Sequence, residues 1–94
     1  MTRSRYDDGY LTGYATWDPA SLTASPCDVT ETTITVNGAK VGDFAIASFS
    51  NDVNDTMLDA QVTAANTVSI TLSNVADVTR DLASGTLRAI VFPL

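Results

Sequence analysis

The chain has 94 residues, a hydrophobic share of 45% and a formal net charge of −6, from five basic and eleven acidic residues. This length predicts one domain with a single modest core. Five scattered cations cannot neutralise a phosphate backbone or an anionic lipid surface, so we expect the chain to bind neither nucleic acid nor membrane.

The residue inventory lacks the usual catalytic groups. The chain contains no histidine, which removes Ser-His-Asp and Cys-His catalysis and histidine-ligated metals. The only cysteine, Cys27, can form neither an internal disulfide nor a cysteine-based zinc site. No apolar run is long enough to span a membrane, and no apolar segment of a secretory signal follows the N-terminus, so we expect synthesis in the cytoplasm. We therefore predict no enzymatic activity, no cofactor and no metal site.

Residues 1–31 show no sustained period and are predicted to form an extended N-terminal arm. Three tyrosines recur every fourth residue, as on a helix, but the glycines between them oppose helix formation. The aromatic residues of the arm are Tyr6, Tyr10, Tyr14 and Trp17. They could fold back onto the domain's own core or lie on a neighbouring subunit, because Tyr and Trp often anchor interfaces. Arg3 and Arg5 could then pair with acids of that neighbour.

Residues 32–94 are predicted to form a β-domain. The clearest alternation places Val68, Ile70 and Leu72 in the core, with hydroxyl side chains between them. Asn37-Gly38 and Ala65-Asn66 are predicted turns. The predicted strands cover residues 33–36, 41–48, 57–64, 67–73 and 86–92. The expected fold class is all-β, a small antiparallel β-sandwich or barrel.

The last predicted strand has two apolar faces. Leu87, Ala89 and Val91 share one face, and Ile90 and Phe92 lie on the other. The strand should therefore be buried on both sides, or one side should meet a partner. We accordingly include Ile90 and Phe92 among the candidate interface residues.

Other segments favour ordinary structural roles. Residues 52–59 fit a calcium loop poorly, because Thr56 and Met57 occupy its fifth and sixth places, and a solvated loop is preferred. Asp7-Asp8 and Asp77 with Asp81 could be read as paired glycosidase carboxylates, but turn acids or helix-cap acids are the simpler interpretation. Residues 77–83 are a candidate for one short helical stretch.

Three segments resemble a β-domain found in structural proteins of tailed bacteriophages. They are residues 36–48, 64–74 and 81–89, and the resemblance extends over 32–92 without the arm. The chain is similar in these segments to capsid decoration (cement) proteins and to tail or fibre proteins. The resemblance implies a virion location, the major capsid protein or another virion protein as partner, and self-association, plausibly as a homotrimer. It brings no catalytic residue.

The expected function is that of a capsid decoration protein, which binds the assembled lattice as an oligomer and stabilises the head. A tail, neck or fibre component is the alternative within the virion. A carbohydrate-binding β-sandwich module is the alternative of another class, and it would require exposed aromatic side chains in one plane.

Overall fold

A computed structural model of the chain describes residues 9–24, 28–53, 56–76 and 78–93. Over these residues the chain is all-β, with six antiparallel strands and no helix, which confirms the predicted class. The strands are β1 (Leu11–Trp17), β2 (Asp28–Thr35), β3 (Phe44–Phe49), β4 (Thr56–Ala64), β5 (Thr67–Asn74) and β6 (Gly85–Phe92).

The strands form two three-stranded sheets. One sheet has the order β1-β6-β3 and the other has the order β2-β5-β4. Only β4 and β5 are joined directly as a hairpin, whereas the other four connections pass from one sheet to the other. The two sheets are therefore built from interleaved parts of the chain.

The inward side chains of the two central strands meet in one core. Val68 and Ile70 of β5 belong to the same buried cluster as Leu87, Ala89 and Val91 of β6. The predicted inward positions of β5 are confirmed, and of the two apolar faces of β6 the one with Leu87, Ala89 and Val91 is buried. Each fully buried aliphatic side chain of this size stabilises the fold by about 1.5–3 kcal/mol relative to exposure.

The predicted extended arm is corrected by the position of β1. Residues 11–17 pair along their whole length with β6. The strand pattern is hidden in the sequence because the inward positions between Leu11 and Trp17 are the small residues Gly13 and Ala15. Gly13 is required there, since a Cβ atom would stand 2.5 Å from the carbonyl oxygen of Thr35 in β2.

The boundary drawn at residue 31 falls within β2, which begins at Asp28. This strand shows no apolar alternation over its first half, because its inward positions there are Asp28, Thr30 and Thr32. The first half of β2 is held as a strand by its pairing with β5, which its own apolar pattern does not predict.

The helix expected over residues 77–83 is wrong for the part that the structure describes, 78–83. Arg80 instead forms an isolated antiparallel bridge with Leu22. The Leu22 amide donates to the Arg80 carbonyl at 2.7 Å, and the Arg80 amide donates to the Leu22 carbonyl at 2.8 Å. This bridge ties the β5–β6 connection to the β1–β2 connection.

Both predicted turns are confirmed, and they are hydrogen-bonded to each other. Gly38 and Asn66 have φ angles of 95° and 63°, the left-handed region that Gly and Asn tolerate. The Gly38 amide donates to Oδ1 of Asn66 at 2.8 Å. The β2–β3 connection is thereby held against the β4–β5 hairpin.

Asn74 lies at the far end of β5 from the two turns and connects three segments of the chain by hydrogen bonds. Its side chain is fully buried, and Nδ2 donates to the carbonyls of Thr23 at 2.7 Å and Val78 at 2.9 Å. Its Oδ1 accepts from the Ala76 amide at 3.0 Å. A second small core lies at this end, formed by Leu22, Leu72 and Leu82.

Asp28 gives a titration prediction for the start of β2. The Thr23 amide donates to Asp28 Oδ2 at 2.7 Å, and the Thr23 hydroxyl donates to the same oxygen at 3.1 Å. These two bonds, the amide first, hold the pKa of Asp28 below its usual value. A lowered folded-state pKa means that the stabilisation is present above the ordinary aspartate pKa and is lost as pH falls through the lowered value.

We expect carboxyl NMR titration to place the Asp28 midpoint below that of an ordinary aspartate. Thr23→Ala removes the hydroxyl but keeps the amide, so it should return the midpoint only part of the way. A wild-type midpoint at the ordinary value would contradict this assignment.

Candidate functional site

The candidate site is the outer face of the β1-β6-β3 sheet. Successive side chains of a strand point to opposite faces, and Leu87, Ala89 and Val91 of β6 are buried in the core. Arg88, Ile90 and Phe92 must therefore point outward. The same alternation turns the outward side chains of β1 and β3 to this face.

The strand register arranges these outward residues in rows across the sheet. Phe92 lies opposite Phe44. Ile90 lies between Thr12 and Ile46, and Arg88 lies between Tyr14 and Ser48. We call this surface, together with Tyr10, which precedes β1, the apolar face. Its large apolar members are Tyr10, Tyr14, Phe44, Ile46, Ile90 and Phe92.

The apolar face is strongly exposed. Tyr14 is 78% exposed, Phe44 65% and Ile46 59%. Single exposed apolar side chains are common, but contiguous patches mark interaction sites in soluble proteins. Five such residues on neighbouring strands, with Tyr10 beside them, therefore indicate a binding surface.

The face is shallowly concave. An open groove of ≈ 630 Å³ runs over it, lined by Tyr10 and Tyr14 on one side and Ile46 on the other, with Arg88 and Ile90 between them. The groove is wide enough to receive side chains of another molecule.

The apolar face carries a single charge. Among the outward residues of β1, β6 and β3, all of them described, Arg88 is the only charged residue and none is acidic. Hydroxyl groups of Thr12, Thr16 and Ser48 supply most of its remaining polarity.

The outer face of the other sheet has a different chemistry. Glu31 and Asp59 lie on either side of Thr71 in one row across the sheet. Exposed apolar side chains are confined to one end, where Val29 and Met57 flank Ser73. A polar outer face of this kind is the normal solvated side of an antiparallel sheet. The contrast makes the β1-β6-β3 face the distinctive surface of the described chain.

The structure joins two surfaces that were separate in the sequence. Tyr10 and Tyr14 came from the predicted arm, and Ile90 and Phe92 from the last strand. All four line one groove, because β1 pairs with β6. Phe44 and Ile46 were not predicted as site residues, although they stand two positions apart in the predicted strand 41–48 and so share one side of it.

The remaining candidate interface residues lie elsewhere. Trp17 points to the inner side of β1, is half-buried against the core and packs edge-on against Phe49, with ring centroids 5.9 Å apart. It takes the role of a core aromatic, which was one of the two interpretations left open. Arg3, Arg5 and Tyr6 lie outside the described residues.

Neither a metal-ligating cluster nor a membrane-spanning helix is found in the described part of the chain. Among residues 9–24, 28–53, 56–76 and 78–93, no cluster of three metal-ligating side chains occurs. The same residues contain no helix able to cross a membrane. Cys27 falls outside them.

The chain shows no significant match to any protein-family model, to any curated protein or to any solved structure.

Proposed function

We propose that this chain is a structural protein that works by binding other protein surfaces through its apolar face, and specifically that it is a capsid decoration protein of a tailed bacteriophage. The observation that supports protein binding is the contiguous, acid-free apolar surface on β1, β6 and β3. The packing of two sheets around one core suits the proposed small β-sandwich.

The energetics of the apolar face suit reversible docking. Burying a Phe or Ile side chain on association contributes about 1.5–3 kcal/mol, before the cost of association is subtracted. A protein that binds an assembled lattice and not its free subunits shifts assembly towards the lattice. The phage setting, the oligomer and the capsid partner come from the resemblance of residues 32–92 to virion β-domains.

The test is binding to isolated capsids of the phage whose genome encodes the chain. We expect Phe44→Ser to weaken co-sedimentation with capsids at least about tenfold, since one large contact of the face is lost. Met57→Ser is the matched control. The exposed fraction of Met57, 61%, is close to the 65% of Phe44, but Met57 lies on the outer face of the other sheet. Equal binding by wild type and both variants would contradict docking by the apolar face.

The contribution of the N-terminal residues needs a separate variant. Removing residues 1–20 would delete β1 and with it one strand of a sheet. A truncation limited to residues 1–8 leaves every described strand intact. It therefore tests whether Arg3, Arg5 and Tyr6 take part in the contact.

Two alternatives remain distinguishable. A tail, neck or fibre component would be present in few copies per particle, whereas a decoration protein is present in many. A carbohydrate-binding module is favoured by the exposure of Tyr14 on a sheet face, but the aliphatic residues Ile46 and Ile90 beside it offer no hydrogen bonds to sugar hydroxyls.

A further inference from the structure

We propose that in free solution the apolar face is covered by a second copy of the same chain. The two copies pack face to face about a two-fold axis that runs across the strands and passes close to Ile90, and the pair opens when the face docks on another protein. This inference rests on the proposed protein-binding role of the face and not on the phage setting. Two features of the face match a second copy of the chain: the absence of acids among its outward strand residues and the order of its rows.

The charge distribution favours self-association at this surface. The chain carries a net charge of −6, so two copies repel each other wherever carboxylates meet. On the other sheet, Glu31 and Asp59 stand on the outer face. The outward residues of β1, β6 and β3 include no acid, so two acidic molecules can approach here without opposed carboxylates.

The rows of the face are complementary to one another under a two-fold rotation. β6 is the central strand, and Ile90 holds the middle of its three outward positions. Rotation about an axis at Ile90 that runs across the strands, in the plane between the two sheets, exchanges the row of Phe92 and Phe44 with the row that contains Arg88. The guanidinium of each copy then faces phenyl rings of the other, a contact that attracts by cation–π interaction.

A three-fold arrangement with β6 at the axis suits the same face less well. Equivalent residues of the three central strands would then converge in one layer. Three Arg88 cations would meet in apolar surroundings, and the face offers no carboxylate to neutralise them. The apolar face thus suits a pair better than a homotrimer with β6 at its axis.

The size of the face sets the strength of the pair. The face is about six residues long and three strands wide. With a rise of about 3.3 Å per residue and a strand spacing of about 4.8 Å, it covers about 20 Å by 14 Å. Two such faces bury less than the roughly 1,600 Å² of a standard stable interface. We therefore expect a dimer that dissociates on dilution.

The first experiment measures molecular mass by light scattering and sedimentation between about 10 μM and 1 mM. Wild type should shift from monomer to dimer over this range. Ile90→Asp should raise the dissociation constant at least about tenfold, because it places a carboxylate in the contact. Val29→Asp, the same change at an exposed apolar residue of the other sheet, should dimerise like wild type.

A monomer at all concentrations, a trimer, or a dimer unaffected by Ile90→Asp would overturn the inference. Equal loss in both variants would also overturn it, since the effect would then be one of net charge. A monomer that still binds capsids would leave the proposed function standing. A dimer that binds no capsid would remove the proposed function and retain the pair.

Crosslinking tests the proximity of the two copies of residue 90 in the dimer without introducing a charge. In a Cys27→Ser background, Ile90→Cys should crosslink to itself with a short bis-maleimide, because the two residues face each other near the axis. Arg88→Cys should not, because its two copies would be offset by about 13 Å along the strands in addition to the sheet separation of about 10 Å. Crosslinking at residue 88 and not at residue 90 would refute the two-fold packing.

Discussion

Gly13→Ala should lower the free energy of unfolding by about 3 kcal/mol, the upper end of the usual cost of overpacking and a large part of the total stability of a small domain. The added Cβ would stand 2.5 Å from the Thr35 carbonyl oxygen and 2.8 Å from Cγ2 of Val36. The first of these atoms is backbone, so β1 and β2 must separate to admit the methyl group. Urea denaturation followed by circular dichroism measures the loss.

The matched control for this substitution is Gly42→Ala. Gly42 has a φ of 99° but no atom within 4 Å of the position of a Cβ. It carries only the backbone cost of a left-handed alanine, about 1–2 kcal/mol. If Gly13→Ala is no more destabilising than Gly42→Ala, the close approach of β1 to β2 is wrong.

Asn74→Asp should destabilise the protein by about 3–5 kcal/mol at neutral pH. The amide Nδ2 donates to the carbonyls of Thr23 and Val78, and the substitution would turn a carboxylate oxygen towards those acceptors. The site is fully buried, so water cannot relieve the repulsion. Thermal and urea unfolding measure the change.

The pH dependence of this variant provides a second test. Burial and the facing carbonyls should raise the pKa of the introduced carboxyl in the folded state. The unfolded chain then loses its proton first, so the penalty grows as pH rises above the ordinary aspartate pKa and shrinks in acid. Asn37→Asp, at an exposed turn, is the control and should change stability little. A pH-independent penalty at residue 74 would contradict the hydrogen bonds assigned to its side chain.

Stability and binding are carried by different faces of the same strands. The side chain of Leu87 and the Cβ position of Gly13 face the inside of the fold, whereas the side chains of Tyr14 and Arg88 face the groove on the outside. Substitutions on the apolar face should therefore change association while leaving the free energy of unfolding nearly unchanged. This separation lets the capsid and self-association experiments be interpreted without a loss of folding.

Alternation was enough to predict the strands from β3 onward and the inward side of β5. It left the inward sides of β3 and β6 open, because both faces of these strands carry apolar residues. Val68, Ile70 and Leu72 recur at every second position, which only a strand turns to one face. The same rule separates Trp17 from Tyr14, three positions away, once residues 11–17 are known to be extended. The pattern did not reveal that β1 is a strand, because close packing against β2 requires Gly13 where an apolar residue would have marked the inward side.

Local patterns were sufficient to predict the all-β class, the two turns and the inward side of β5, because these depend on neighbouring residues. The pairing of β1 and β3 with β6, which places Tyr14, Ile46 and Ile90 on one surface, is visible only in the folded chain. Strand pairing joins Ile46 to Ile90, 44 positions apart, and the backbone hydrogen bonds that join them do not depend on which side chains the strands carry. The site arises from an order of strands that local patterns do not encode.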